Sequence, residues 1–470
     1  MGAISSTAEC DLLIEGGTVV TEGGRQQANI AIRGPLIESI STDEQPARRV
    51  IDASGLLVLP GGVDAHTHLN SNWPFADERR PADDFESGTR GAAAGGITTI
   101  CDFVYPLGEE GLGDAIRRVM RDAAPSYIDF ALHLAVTTLQ ESFMAEVDEA
   151  IAAGCVSFKF YTPHADFVVN GSKYLRFMTR VAEAGGIAMF HCEDQAIVDH
   201  SRRTLVDAGR VAPRFYPLSK PVDAEISATA QAMGMAAVAQ VPCYIVHLSA
   251  AAVLDEAVLA RARGVSVFVE TRPLYLYLTA AEYAAEDSEA ARYIGTPPLR
   301  REEDRTRLWR ALAAGEIDVV ASDHVGFTAA QKYTAGDTFD TVPKGVANLE
   351  TLLPMLYSEG VHGGRITAER FVQVIATNPA RLFGLYPRKG TIAIGSDADL
   401  CILDPNERRL LSGASLHSAA DLELFEGVEV TGWPAYTISR GEIVYEHGVI
   451  VGQPGRGVYV PGQPPVGTVR

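Results

Sequence analysis

This chain lacks the cysteine pattern of a disulfide framework or a thiolate metal site. Its six cysteines (Cys10, Cys101, Cys155, Cys192, Cys243, Cys401) are scattered, and no Cys-x-x-Cys pair occurs. No uninterrupted apolar run approaches the roughly 20 residues that a membrane helix needs. Met1 to Cys10 lack the basic and then apolar stretches of a secretory signal. Positive charge is also scarce: 40 Lys and Arg face 60 Asp and Glu, a formal net charge of -20. No basic stripe offsets that balance, so DNA and RNA are excluded as partners. These absences predict a cytoplasmic enzyme acting on a small molecule, with no membrane association. A chain of 470 residues, 47% hydrophobic and 21% charged, can bury a large core. It exceeds one ordinary domain but suits a barrel with an appended module.

The first segment reads as short strands separated by Gly-containing turns: Asp11–Ile14, Thr18–Val20, Ala28–Ile32 and Leu36–Ile40. The same texture returns at Ala398–Leu403, Ala435–Ile438 and Glu442–Tyr445. Neither end holds enough apolar residues for its own core, so residues 1–58 and 390–470 are expected to build one joint β-sandwich. The Gly/Pro-rich tail from Gly452 to Arg470 would be an extended arm. Between the ends, about eight short apolar runs alternate with Ala- and Arg-rich helical patterns. The runs are Leu57–Leu59, Ile97–Phe103, Ile128–Ala135, Val156–Tyr161, Ile187–His191, Cys243–His247, Val265–Val269 and Asp318–Ser322. Alternation implies parallel strands, and eight repeats imply a closed (β/α)8 TIM barrel over 59–389. Burial on both faces explains why the runs are continuously apolar.

Barrel enzymes carry their reacting groups where strands end and βα loops begin. At those places stand His66 and His68, then Lys159 within Ser157-Phe-Lys-Phe-Tyr161, then His191, His247 and Asp323. Four of the eleven histidines thus fall at strand ends beside one lysine and one carboxylate. Residues two apart in an extended segment face one side, so His66 and His68 can both enter the barrel mouth. Imidazole and carboxylate suit zinc and similar divalent ions. A lysine inside an apolar strand is costly unless neutralised, and carboxylation by CO2 would turn Lys159 into a carbamate able to bridge two metals. A lone barrel histidine is more often a hydrogen-bonded core residue, but six such groups at strand ends favour a metal site. Of the others, His133 reads as structural and His324 as a candidate support behind Asp323. His200, His362, His417 and His447 read as exposed, and Glu193 and Asp194 as caps of the next helix.

The sequence resembles the dihydropyrimidinase and hydantoinase branch of the amidohydrolase superfamily. Leu59-Pro-Gly-Gly-Val-Asp-Ala-His-Thr-His-Leu69 matches its first strand. Asp84–Arg90, Ser157–Lys159, Tyr244–Ser249, Thr296–Arg300, Ser322–His324, Thr377–Gly384 and Pro387–Thr391 follow in the expected order. The resemblance implies that His66, His68 and Asp323 hold one divalent metal and that His191 and His247 hold the second. Carboxylated Lys159 would bridge them. Zinc is the first expectation, with manganese, cobalt or nickel as alternatives. A hydroxide shared by the ions would attack the carbonyl of a cyclic amide, and Asp323 would move its proton to the departing nitrogen. A homotetramer or dimer is implied as well.

Three positions depart from that pattern. His164 stands where the family has a tyrosine that donates to the developing oxyanion, so either His164 or Tyr161 would supply that donor. Lys344 stands where an asparagine is frequent; Thr296 matches the other expected substrate contact. Arg272 replaces a cysteine and has no assigned role. The gating loops carry Asn70, Trp73, Phe75, Phe103, Tyr105 and Phe167, a set suited either to an apolar or aryl ring substituent or, equally, to packing between the loops. Hydantoins, dihydropyrimidines and cyclic imides all fit. Rival readings are an allantoinase-like ureide hydrolase, which Asn70 suits, and a non-catalytic scaffold, against which the complete ligand set argues. A dihydroorotase would call for an arginine where Leu69-Asn70 stand, and a mononuclear deaminase would not need Lys159.

Overall fold

The computed structural model of the chain describes residues 9–43, 45–69 and 79–464. Strands β1 (Cys10–Thr21), β2 (Gly24–Arg33), β3 (Leu36–Ser41), β4 (Ala47–Asp52) and β5 (Leu57–Pro60) open it. Then come β6 (Gly62–Thr67), β7 (Ile97–Val104), β8 (Asp129–Val136), β9 (Ser157–Tyr161), β10 (Ile187–His191), β11 (Cys243–Ile245), β12 (Val267–Thr271) and β13 (Val319–Val320). The last are β14 (Leu400–Leu410), β15 (Glu429–Ser439), β16 (Glu442–Glu446) and β17 (Val449–Ile450).

Both chain ends share a single nine-stranded, largely antiparallel sheet in the order β17-β16-β15-β14-β5-β1-β2-β3, with β4 branching from β1. The branch is possible because β1 bulges between Ile14 and Gly17, pairing β4 before the bulge and β5 after it. Gly16 takes φ +71 there, a left-handed conformation that glycine adopts without steric penalty. The ends meet where β5 pairs β14, Pro60 opposite Leu400 and Leu57 opposite Leu403. Leu12, Ile14, Ile30 and Ile32 then share a buried core with Leu400, Ile402 and Ile438. Leu57–Leu59, expected as the first barrel run, therefore belongs to this sheet, and the barrel begins one strand later. Gly61 makes the turn between the two: a Cβ there would lie 2.2 Å from Thr98 Oγ1.

Strands β6 to β13 lie side by side in chain order, all parallel. A bridge between Thr67 and His324, with the His68 amide donating to the His324 carbonyl at 3.0 Å, closes the ring. Every residue of these eight strands is buried, as strands covered by helices outside and side chains inside must be. Helix starts follow local chemistry. Asp84 and Ser87 form a reciprocal cap before Phe85–Ala94, and Asp194 accepts from the Ala196 and Ile197 amides before Gln195–Asp207.

The arm from Gly452 runs across the foot of the barrel, where Phe130 bonds Val458 and Val460, and Gly462 bonds Gly154. Beside it Lys389, fully buried, donates to Asp129 and Asp399 at 2.6 Å and lies 2.9 Å from Asp397. Burial alone would lower its pKa, but the three carboxylates hold it above the ordinary lysine value. One ammonium thus fastens β8 of the barrel to the segment leading into β14. Lys389→Met leaves the buried Asp399 without its cation, while Asp129 keeps Arg440 and Asp397 keeps Arg388, and is expected to destabilise by about 3 kcal/mol. A urea unfolding curve reads this; an unchanged midpoint would refute it.

Candidate active site

The barrel mouth gathers all six strand-end groups into one cavity of about 490 Å³, lined by His66, His68, Lys159, His191, His247 and Asp323. They come from β6 and the residue that follows it, from β9 and β10, and from the turns after β11 and β13. His247 and Asp323 take left-handed backbone conformations, φ 38 and φ 46, which swing their side chains inward as the strands end. Such strain persists only where neighbours hold it. The Glu270 carboxylate accepts from the His247 amide at 2.8 Å, and Arg272 donates to the Ser322 and Asp323 carbonyls at 2.9 and 3.1 Å.

The groups divide into two sets. His66 Nε2 and His68 Nε2 each lie 3.1 Å from Asp323 Oδ1. His191 Nδ1 lies 2.8 Å from His247 Nε2. Lys159 stands between, its Nζ 3.5 Å from His66 Nε2. The arrangement fits metal ions on atomic grounds. His66 Nδ1 is engaged by Glu270 Oε1 at 2.8 Å, which leaves its Nε2 lone pair facing a carboxylate oxygen. His191 Nε2 is engaged by Glu193 Oε2 at 2.9 Å, which leaves its Nδ1 lone pair facing His247. His247 Nδ1 is buried without a partner. Lone pairs converging on one another, each ring oriented from behind by an oxygen, are what a cation requires.

Electrostatics agree. Burial pushes the histidine rings down in pKa, so they are neutral and able to coordinate. Burial also brings the Lys159 amine down to about 8 and lifts the Glu270 carboxyl to about 7. Asp323 is held well below the carboxylate range: burial opposes this, but the Arg272 guanidinium, helped by a hydrogen bond from His68, outweighs it. Arg272 Nη1 lies 2.9 Å from Asp323 Oδ2, which gives this residue a place beside the ligand set.

Other expectations meet mixed outcomes. Tyr161, His164, Thr296 and Lys344 line the cavity. Thr296 donates to Glu193 Oε2 at 3.0 Å and receives Lys220 Nζ at 2.7 Å. Phe167 does not belong there: its helix turns it into the core, 4.8 Å from the Tyr174 ring. Phe103 and Tyr105 are buried too, with Phe103 stacked 4.9 Å from His68, so they pack beneath the histidines rather than face a ligand. Asn70, Trp73 and Phe75 lie outside the described residues. Asp194 caps its helix, but Glu193 does not; its buried carboxylate turns back to His191, Lys220 and Thr296. His417 is half-buried rather than exposed, because Glu350 accepts from its Nδ1 at 2.9 Å. His133 bonds the Ala65 carbonyl within the barrel, and His324 bonds Asp83 and the Asn348 and Leu349 amides behind Asp323.

Sequence reasoning missed Glu270 and Glu193 as partners of the histidines. Glu270 directly follows the seventh apolar run, the same signal that singled out Lys159.

An eight-stranded barrel with paired imidazole, carboxylate and lysine groups at its mouth is the architecture of a metal-dependent hydrolase. The amidohydrolase family model matches residues 57–444, and the chain belongs to that family. It is 36% identical over 452 residues to a D-hydantoinase of Rhizobium radiobacter, covering 96% of this chain and 98% of the relative. It is 37% identical over 468 residues to a D-phenylhydantoinase of Escherichia coli, covering 97% and 99%. The solved dihydropyrimidinase of Brevibacillus agri superposes with TM-score 0.92 at 33% identity, covering 97% of this chain and 99% of that one.

If the two sets hold one ion each, His247→Asn binds one divalent ion fewer than the parent protein, as elemental analysis after dialysis will read. Zinc at a thousandfold excess over its Kd is expected to stabilise the fold by about 4 kcal/mol, so a chelator lowers Tm.

Proposed function

We propose that this chain hydrolyses the ring of a cyclic amide or imide, hydantoin-like or dihydropyrimidine-like. The observation that carries the reading is the convergence of His66, His68, Lys159, His191, His247 and Asp323 on one cavity floor. Full-length likeness to hydantoinases supports it. Two divalent ions, zinc suiting imidazole and carboxylate best, would supply Lewis acidity and a hydroxide nucleophile at neutral pH. His66, His68 and Asp323 would hold one and His191 and His247 the other, with Lys159 bridging as a carbamate.

The chain's own residues supply the remaining chemistry. Asp323, a carboxylate at the cavity floor beside His66 and His68, would accept the proton of the attacking water and return it to the departing nitrogen. Glu270 and Glu193 hold His66 and His191 in one tautomer. Thr296 and the backbone around Lys344 face the substrate ring, and Tyr161 or His164 contacts the amide under attack. Six free, buried cysteines support a reducing, cytoplasmic setting. Among the described residues, no helix is long and apolar enough to cross a membrane.

The test is ring opening by zinc-loaded protein on hydantoin, dihydrouracil, an aryl-substituted hydantoin, succinimide and allantoin. Activity on at least one ring is expected, with Asp323→Asn lowering kcat by on the order of 10²–10⁴-fold. Silence with metal bound would move the substrate elsewhere, and silence without metal would favour the scaffold reading. The Lys159 amine adds a pH signature. Only its neutral form attacks CO2, and its pKa is brought down to about 8 by burial. Recovery of stripped protein in zinc and bicarbonate should therefore quicken as pH rises through about 8. A recovery rate independent of pH would count against the carbamate.

A further inference from the structure

His68 sits between two partners. Its Nε2 lies 3.1 Å from Asp323 Oδ1, and its Nδ1 lies 3.0 Å from the Tyr105 hydroxyl. That hydroxyl is 2.9 Å from the hydroxyl of Tyr161, which lines the cavity, while Tyr105 is buried beneath the floor. A neutral imidazole carries one proton, and each phenol has one proton to give and lone pairs to receive. Among the described residues, these bonds admit two self-consistent settings. When His68 Nε2 carries the proton, it donates to Asp323. Nδ1 then accepts from Tyr105, and Tyr161 donates to Tyr105. When Nε2 serves as a metal ligand, the proton sits on Nδ1 and every bond reverses. His68 donates to Tyr105, Tyr105 donates to Tyr161, and the Tyr161 proton is turned out of the row.

We propose that His68, Tyr105 and Tyr161 form a hydrogen-bond row whose direction is set by ligation of His68, and that the ligated setting makes Tyr161 the donor to the carbonyl oxygen under attack. Tyr105 is a positioning residue in this row, and each donation strengthens the next. The role of Tyr161 rests on the ring-hydrolysis reading. His164 is set for a different task. Its Nδ1 lies 3.1 Å from the Thr137 carbonyl, which can only accept, so the proton of the neutral ring is on Nδ1 and Nε2 is an acceptor. Burial keeps the ring in that neutral form. An acceptor suits the N–H of a cyclic amide and not its carbonyl oxygen, so Tyr161 and His164 serve complementary edges of one substrate.

The experiment uses the full chain labelled with 15N-histidine and 13Cζ-tyrosine, read by NMR before and after zinc loading. His68 is expected to pass from Nε2-protonated to Nδ1-protonated, with the Tyr105 and Tyr161 signals shifting together. An unchanged His68 tautomer overturns the proposal, and this arm needs no variant. In zinc titrations, Tyr105→Phe is expected to weaken binding by roughly 10–100-fold, whereas Tyr161→Phe, one bond further from the ligand, weakens it by less. Turnover of Tyr161→Phe is expected to fall by on the order of 10²–10³-fold with KM little changed. The double variant should be no slower than Tyr161→Phe. A Tyr161→Phe enzyme with parental kcat overturns the donor role. If the parent opens no ring, the ring-hydrolysis reading fails, and the NMR and zinc arms still decide whether the row reverses.

Discussion

The structure turns on one constraint: a lysine, a carboxylate and four imidazoles share one buried barrel mouth, where the charged ones need partners. An ionised group buried without a partner is far more costly than any single apolar contact can offset. Each of these groups is answered by another. Asp323 takes His66, His68 and Arg272, while Glu270 takes His66, the His247 amide and the Tyr244 hydroxyl at 2.8 Å. Glu193 takes His191, Lys220 and Thr296. Lys159 is the group least answered by hydrogen bonds, and its depressed pKa expresses that. A negative bridging carbamate and two cations would complete the balance.

The barrel makes such a gathering possible because its strands point the same way. Each delivers its last residues to one end, so groups far apart in sequence, such as His66 and Asp323, come within 3.1 Å. The opposite end bears the mechanical load. There Lys389 ties barrel to sheet, Arg440 reaches Asp129 at 3.0 Å, and the C-terminal arm crosses the foot. Stability is built at one end and strained, half-compensated chemistry at the other, joined by eight buried strands.

Much of this was legible in the sequence, for physical reasons. Strand ends are marked by a polar residue interrupting an apolar run, and that rule picked out all six cavity-floor groups. It failed where the signal was shared. Leu57–Leu59 is as apolar as a barrel strand, yet it pairs with β14; only the close approach at Gly61 separates the sheets. Phe167 and Phe103 look alike in sequence whether they face a ligand or a core, and both chose the core. Glu193 resembled a cap because Asp194, its neighbour, is one. Contacts made across the barrel, such as Glu270 to His66, leave no trace in local periodicity.

The departures from the family pattern are informative by where they fall. His164, Lys344 and Arg272 come from three different segments, yet all three line the same cavity. None replaces one of the six proposed ligands. Arg272 packs beside Asp323 and donates to its carbonyl, and His164, with its Nδ1 3.1 Å from the Thr137 carbonyl, stands where the family pattern has a tyrosine. The Tyr105 and Tyr161 hydroxyls, 2.9 Å apart, stand beside that altered position with a donor of their own. The three changes line the cavity around an unchanged set of six groups, which agrees with a chain that keeps the family's hydrolytic chemistry while its cavity wall differs.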